Sequence, residues 1–177
     1  MSILIVPVGT IEGDIVKAIA GALVVFGKKV TVGHGLPEPD YAYDQKRQQF
    51  AAYPIIDQMQ HHKEYHFHES VLGVVDKDLF VPGLNFVFGL ASRRVAIVSL
   101  TRLRQEYYDL PPDPALLLQR VKTEAVHEMG HTYGLGHCIN PRCVMFLSNT
   151  MADTDAKSAT FCAACQAYLN RHRRTSH

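Results

Sequence analysis

The chain has 177 residues, 47% of them apolar and 20% charged, with a formal net charge of +1. That length supports one domain with a sizeable core and is too short for two full ones. The near-neutral charge leaves no electrostatic footprint for nucleic acid or an anionic membrane, and the one basic cluster, "RHRRTSH" at residues 171–177, reads as a solvated terminus.

The start, "MSILIVPVG", has no basic flank and breaks at Pro7 and Gly9, which is not the pattern of a targeting segment. Residues 2–9 read instead as a buried strand. Residues 10–27 carry Ile11, Ile15, Ile19, Ala22, Leu23 and Phe26 at helical spacing, with Thr10 available as the N-cap. "KKVTVGH" (28–34) reads as a second strand. A loop rich in proline, aspartate and tyrosine leads to a second helix over 53–64, with Pro54 in its first turn. Residues 71–80, 85–92 and 93–100 are β-branched or aromatic runs separated by Pro-Gly and Arg-Arg breaks, hence three more strands. The run "LFVPGLNFVFGLA" is the longest apolar stretch, but proline, glycine and asparagine interrupt it, so no membrane span is expected. Residues 112–134 form one long helix, capped by Asp113, opened by Pro114 and ended by Gly134. Residues 135–160 read mostly as loop, and a last short helix starts near Phe161. This order predicts an α/β (mixed α+β) fold: a twisted mixed sheet backed by helices, within a single domain 1–177. Residues 1–136 would form its sheet-and-helix part, and 137–177 a small irregular C-terminal subdomain.

The long helix carries the chemistry. In "VHEMGHTYGLGHC", His127 and His131 lie four apart, so both imidazoles leave one helix face one turn apart. Gly134 then lets the chain turn through a left-handed conformation and return His137 toward the same point. Three neutral nitrogens leave one tetrahedral position of a zinc ion for water. Glu128 projects about 100° round the helix from His127, placed to reach that water rather than the metal. Zinc lowers the pKa of a bound water to about 7, and a neighbouring carboxylate can take its proton and pass it to a leaving amine, the logic of amide hydrolysis. The pattern HExxHxxGxxH arises by chance in a chain of this composition on the order of once in ten thousand.

The full run "HEMGHTYGLGH", followed by "CINPRCVMF" and a distant "CAAC", resembles the archaemetzincins, a family of metzincin-type zinc metallopeptidases. Residues 71–104 also resemble that family, so the likeness spans most of 71–165. It implies a metzincin-like fold in which His127, His131 and His137 bind catalytic zinc and Glu128 is the general base. Met145 would form the Met-turn beneath the ion. Some other metzincins place a tyrosine two residues after this methionine; here the position is Leu147. The resemblance further implies that substrate binds as an added antiparallel strand along Asn85, Phe86, Val87, Phe88, Gly89 and Leu90, if that run is a sheet edge. An interior strand is the other reading.

All four cysteines, Cys138, Cys143, Cys162 and Cys165, fall beside this motif. Two disulfides would admit three connectivities, but without a secretion signal metal binding is favoured. The spacings C-x4-C and C-x2-C suit a closed four-cysteine zinc site stapling the C-terminal loop. A redox Cys162–Cys165 pair would need a preceding strand that "TDAKSAT" does not offer. The expectation is therefore two zinc ions per chain, one catalytic and one structural, in a monomeric cytoplasmic enzyme acting on peptides or proteins. Neither nucleic acid nor membrane is an expected partner. The alternative is a catalytically silent, zinc-stabilised peptide- or protein-binding domain, which would have no need of Glu128. Cleavage inside chains and removal of N-terminal residues both fit, the latter requiring an acidic group for the substrate's amine. His61, His62, His66 and His68 read as a solvated helix end.

Overall fold

The strand Ser2–Val8 (β1) alternates its side chains between two cores. Ile3 and Ile5 enter one, Leu4, Val6 and Val8 the other, and nearly all are fully buried. A strand covered on both faces must be apolar at every position, which is why "SILIVPV" shows no polar alternation. The structure is a computed structural model that describes residues 2–173, with side chains through residue 171; most of the basic tail lies outside the described residues.

After β1 come α1 (Gly13–Leu23), β2 (Lys29–Val32), β3 (Tyr43–Asp44), β4 (Gln49–Ala51), α2 (Ala52–His61), β5 (Ser70–Val75) and β6 (Leu79–Phe80). β7 (Gly89–Ser92), β8 (Val95–Ser99), α3 (Pro114–Thr132), α4 (Met151–Ala156) and α5 (Ala163–Arg173) follow. The main sheet has the order β2-β1-β5-β8-β7, parallel except for β7, which runs antiparallel to β8 and forms one edge. A second sheet, β3-β4-β6, is small.

The first core lies between the main sheet and α1 and α3. It also takes in Leu135, Cys143, Val144, Met145, Cys165 and Leu169, so the C-terminal segment shares the core of the sheet. The second core packs α2 and the small sheet against the opposite face.

Four local expectations change. Thr10 does not cap α1. Gly9 adopts φ +74, the Thr10 amide bonds Glu38, and the helix starts at Gly13 behind Glu12, whose carboxylate is held by Arg104 instead. The expected strand 71–80 divides in two, because Asp76 and Asp78 are drawn aside by Arg104 and Arg102. Residues 135–160 contain a helix, α4, started by a capping box in which Thr150 and Asp153 each bond the other's backbone amide. Finally, the edge strand covers only Gly89–Ser92. Asn85, Phe86, Val87 and Phe88 lie outside it, since Arg47 takes the carbonyls of Leu84 and Asn85 and Val87 bridges to Leu79.

Candidate metal centres and the cleft

α3 begins as its sequence predicts: Asp113 accepts from the Leu116 amide at 2.9 Å, and Pro114 occupies the first turn. Its C-terminal half is buried between sheet and C-terminal segment, which brings His127 and Glu128 inside and leaves His131 half-buried. Gly134 takes φ +82, and a Cβ there would come within 3.0 Å of the Tyr168 hydroxyl. The turn it allows carries His137 back, and the ligand nitrogens of His127, His131 and His137 all lie within 4.8 Å of one another.

Second partners fix how these rings point. His127 Nδ1 donates to Val144 O at 2.7 Å, and His131 Nδ1 donates to Leu135 O at 2.8 Å. With each Nδ1 proton committed to a carbonyl, each neutral ring presents a bare Nε2 lone pair. Those two Nε2 atoms face each other at 3.1 Å. Two lone pairs at that distance repel unless a cation lies against both, and two nitrogens about 2.0–2.1 Å from a tetrahedral zinc are themselves about 3.4 Å apart. The donor set fits zinc. Burial, reinforced by the nearby Lys157 ammonium, lowers the His127 pKa to about 3, and burial also lowers that of His137. Neutral rings are the form a metal requires.

Glu128 is buried on the same helix, and burial together with the Glu124 carboxylate raises its pKa, the Lys157 ammonium acting in opposition. It lines a cleft of about 590 Å³ with the three histidines, residues 84–91 and Leu147, Ser148 and Asn149. The edge strand β7 therefore borders the cleft beside the histidines. Beneath the centre, Met145 is fully buried, and a Cβ on Gly130 would strike its sulfur. Glycine at that helix position lets the thioether pass directly under α3.

Cys138, Cys143, Cys162 and Cys165 form a second cluster, again with ligand atoms within 4.8 Å of one another, and none is in a disulfide. Cys138 and Cys162 sulfurs lie 3.8 Å apart, the separation of roughly 3.8 Å that tetrahedral Zn–S bonds of 2.3 Å produce. The Asn140 and Cys162 amides point at the sulfurs of Cys138 and Cys143, and N–H donors to sulfur favour thiolates. The Cys162 pKa falls to about 7 chiefly through the Cys165 backbone amide, whereas burial raises those of Cys143 and Cys165. This donor set also fits zinc. The segment before Cys162 is the end of α4 and a loop, not a strand. Among the described residues these are the only two groups of three or more potential ligands in one place; His61, His62, His66 and His68 form none. His62 stacks on Tyr65 with ring centroids at 4.0 Å, and His68 bonds Ser2.

The sequence of Peptidase family M54 matches residues 23–171. The chain belongs to that family. It is 40% identical over 178 residues to the archaemetzincin of Pyrococcus abyssi, covering 96% of this chain and 95% of that one. Against the archaemetzincin of Pyrococcus horikoshii it is 43% identical over 151 residues, covering 84% and 80%. Its fold matches the crystal structure of archaemetzincin from Methanopyrus kandleri with a TM-score of 0.86 at 37% identity, covering 98% of this chain and 96% of that one. The zinc-dependent peptidase of Methanocorpusculum labreanum gives a TM-score of 0.86 at 31% identity, covering 96% and 100%. This M54 member is thus a zinc metallopeptidase of mixed α/β fold, acting on peptide or protein substrates, and the silent-binder alternative is not favoured. No helix among the described residues is long and apolar enough to cross a membrane.

Sequence reading passed over two residues at the centre. Lys157, with its side chain fully buried, stands 3.3 Å from Glu124 and 3.0 Å from Phe146 O. Glu124 also accepts from Thr154 at 3.1 Å and from Ser148 at 3.4 Å. Glu124 precedes Glu128 by one helical turn, a signal available in the sequence. Nothing around Lys157 marks it.

Proposed function

We propose that His127, His131 and His137 hold the catalytic zinc, that Glu128 is the general base, and that Cys138, Cys143, Cys162 and Cys165 hold a second, structural zinc. The observation carrying the first assignment is the facing pair of bare Nε2 atoms at 3.1 Å with both Nδ1 protons bound to carbonyls. Zinc bound there supplies a Lewis acid and brings the pKa of a bound water near neutrality.

The chain's own groups do the rest. The Glu128 carboxylate, made more basic by burial beside Glu124, takes the proton of the attacking water and hands it to the leaving nitrogen. Val144 O and Leu135 O hold the two helical imidazoles in the tautomer that leaves Nε2 free. Met145 supports the rings from below. Gly89 and Leu90, in β7, align an extended peptide through their backbone, and Asn85, Phe86, Val87 and Phe88 form the lip of the cleft beside it. The four-cysteine site ties the irregular segment 138–162 to α5, where little apolar surface is available to do so.

The active species is a monomer of one domain in the cytoplasm, with peptide or protein as its only class of partner and neither nucleic acid nor membrane involved. A digest of a diverse peptide mixture read by mass spectrometry tests the reading. Cleavage is expected from the wild type and not from Glu128→Ala; cleavage that survives in the variant would remove Glu128 from the base role.

A further inference from the structure

Beside the cleft lies a second cavity of about 560 Å³, lined by Arg47, Gln49, Asp78, Asn85, Arg102 and Tyr107 among others. Asn85 lines both spaces, so the two share a wall. Two guanidinium groups are held in this cavity. Arg102 stacks with its Cζ 4.2 Å from the Phe86 ring centroid and 4.7 Å from that of Tyr107, and its Nε and Nη2 grip Asp78 at 2.6 and 2.9 Å. Arg47 lies over Phe80 at 4.2 Å and donates through Nε to Gln49 and through Nη2 to the carbonyls of Leu84 and Asn85. Aromatic stacking and hydrogen bonds fix both planes.

Charge and donors remain to be used. Asp78 is the only acidic residue of the lining, against Arg47 and Arg102, which leaves one net positive charge. Asp78 is already engaged by Arg102 and by Gln49 Nε2. Nη1 of each arginine has no hydrogen-bond partner among the described residues. A carboxylate matches a pre-oriented guanidinium edge, and it is the anionic group that a peptide supplies.

Position gives this cavity a role in selecting substrate. A peptide running antiparallel to β7, with its scissile bond beside Glu128 and Gly89, carries its leaving-group side back toward Asn85. Gly89 and Asn85 are four positions apart, so an extended peptide in that register reaches Asn85, on the wall of the arginine cavity, about three to four residues beyond the scissile bond. We propose that Arg47 and Arg102 form a subsite for a carboxylate on the leaving-group side of the cleaved bond, supplied by an acidic side chain or by the substrate's own C-terminus. This rests on the assignment of the cleft as the peptide site.

The test is cleavage of a randomised peptide library by the zinc-loaded enzyme, one half of the library ending in a free carboxylate and the other in an amide. Asp or Glu, or the free terminus, is expected to be enriched about tenfold at the third or fourth residue after the cut. Enrichment confined to the free-acid half identifies the terminus; enrichment in both halves identifies the side chain. Arg47→Gln should bring the enrichment within about twofold of unity, and Arg102→Lys, which keeps a cation for Asp78 but loses the fork, should weaken it. Cut sites without downstream acidity, or enrichment that survives Arg47→Gln, overturn the subsite and leave the peptidase intact. Anisotropy of labelled carboxylate and amide peptides on zinc-loaded Glu128→Ala gives a second readout free of turnover. Equal binding there overturns the subsite, and a protein that neither cuts nor binds any peptide overturns the cleft assignment with it.

Discussion

Gly89 and Glu128 interlock: a Cβ on Gly89 would lie 2.5 Å from Cγ of Glu128 and 2.6 Å from Ile97 O. The first residue of the edge strand is therefore also the wall against which the proposed base rests. Gly89→Ala must displace either the carboxylate or the strand, since Ile97 O belongs to the paired strand and yields little. A misplacement of about 1 Å near the chemistry lowers rate by about a hundredfold. The expected result is a fall in kcat of that order with zinc content unchanged, read by steady-state kinetics and elemental analysis on the same sample. An active Gly89→Ala enzyme would mean that Glu128 does not depend on this wall.

The two donor clusters meet along the backbone, with His137 in one and Cys138 in the other. Their separation can be tested by stoichiometry. His131→Ala should lose one zinc and keep its fold and melting temperature within a few degrees. Cys162→Ser should also lose one zinc, but with a marked fall in melting temperature, because a closed metal site contributes folding free energy directly. A Cys162→Ser protein with full zinc content and unchanged melting would remove the structural site.

Much of this was legible in the sequence, for physical reasons that differ by element. α3 was readable because Asp113, Pro114 and Gly134 mark its ends and the histidine spacing marks its inner face. The strands were readable by type but not by length. Asp76 and Asp78 end one strand and begin another because of arginines at 102 and 104, a tertiary effect no local pattern contains. For the same reason "NFVFGLAS" looked like one strand: Arg47, from a distant turn, removes the carbonyls its first half would need. The candidate ligands could be picked out by spacing, whereas the carbonyls that orient them, Val144 and Leu135, could not, since a backbone acceptor has no sequence signature.

Acid should act on the metal-stripped protein through opposed groups, His127 and His137 on one side and Glu128 on the other. His127 has its pKa lowered to about 3, so below pH 6.5 the unfolded chain gains a proton that the folded one refuses. Stability then falls as pH drops, by about 1.4 kcal/mol per unit. The pKa of Glu128 is raised above 4.5; the folded state keeps a proton that the unfolded state has lost, so its contribution falls as pH rises. Just above pH 4.5 the histidines and Glu128 oppose each other. Glu128→Gln removes the carboxyl's contribution, so the metal-stripped variant should lose stability on acidification more steeply than the wild type. Denaturant titrations at pH 4.8, 5.5 and 6.2 measure this, and equal slopes would contradict it.

The buried pair of Lys157 and Glu124 joins three elements around the centre: α3 through Glu124, the segment after Met145 through Phe146 O, and the end of α4 through Lys157 itself. Their side chains are 0% and 3% exposed, so each charge depends on the other. Removing one partner leaves a bare charge in the interior, which costs about 3–5 kcal/mol, whereas replacing both with apolar groups of similar size is often neutral or stabilising. Lys157→Met alone should therefore lower stability by that amount in the metal-stripped protein. Glu124→Leu combined with Lys157→Met should recover part of it, short of the whole, because Thr154 and Ser148 lose their acceptor. A double-mutant cycle by chemical denaturation gives the coupling. Simple additivity of the two single variants would show that the ammonium and the carboxylate do not need each other.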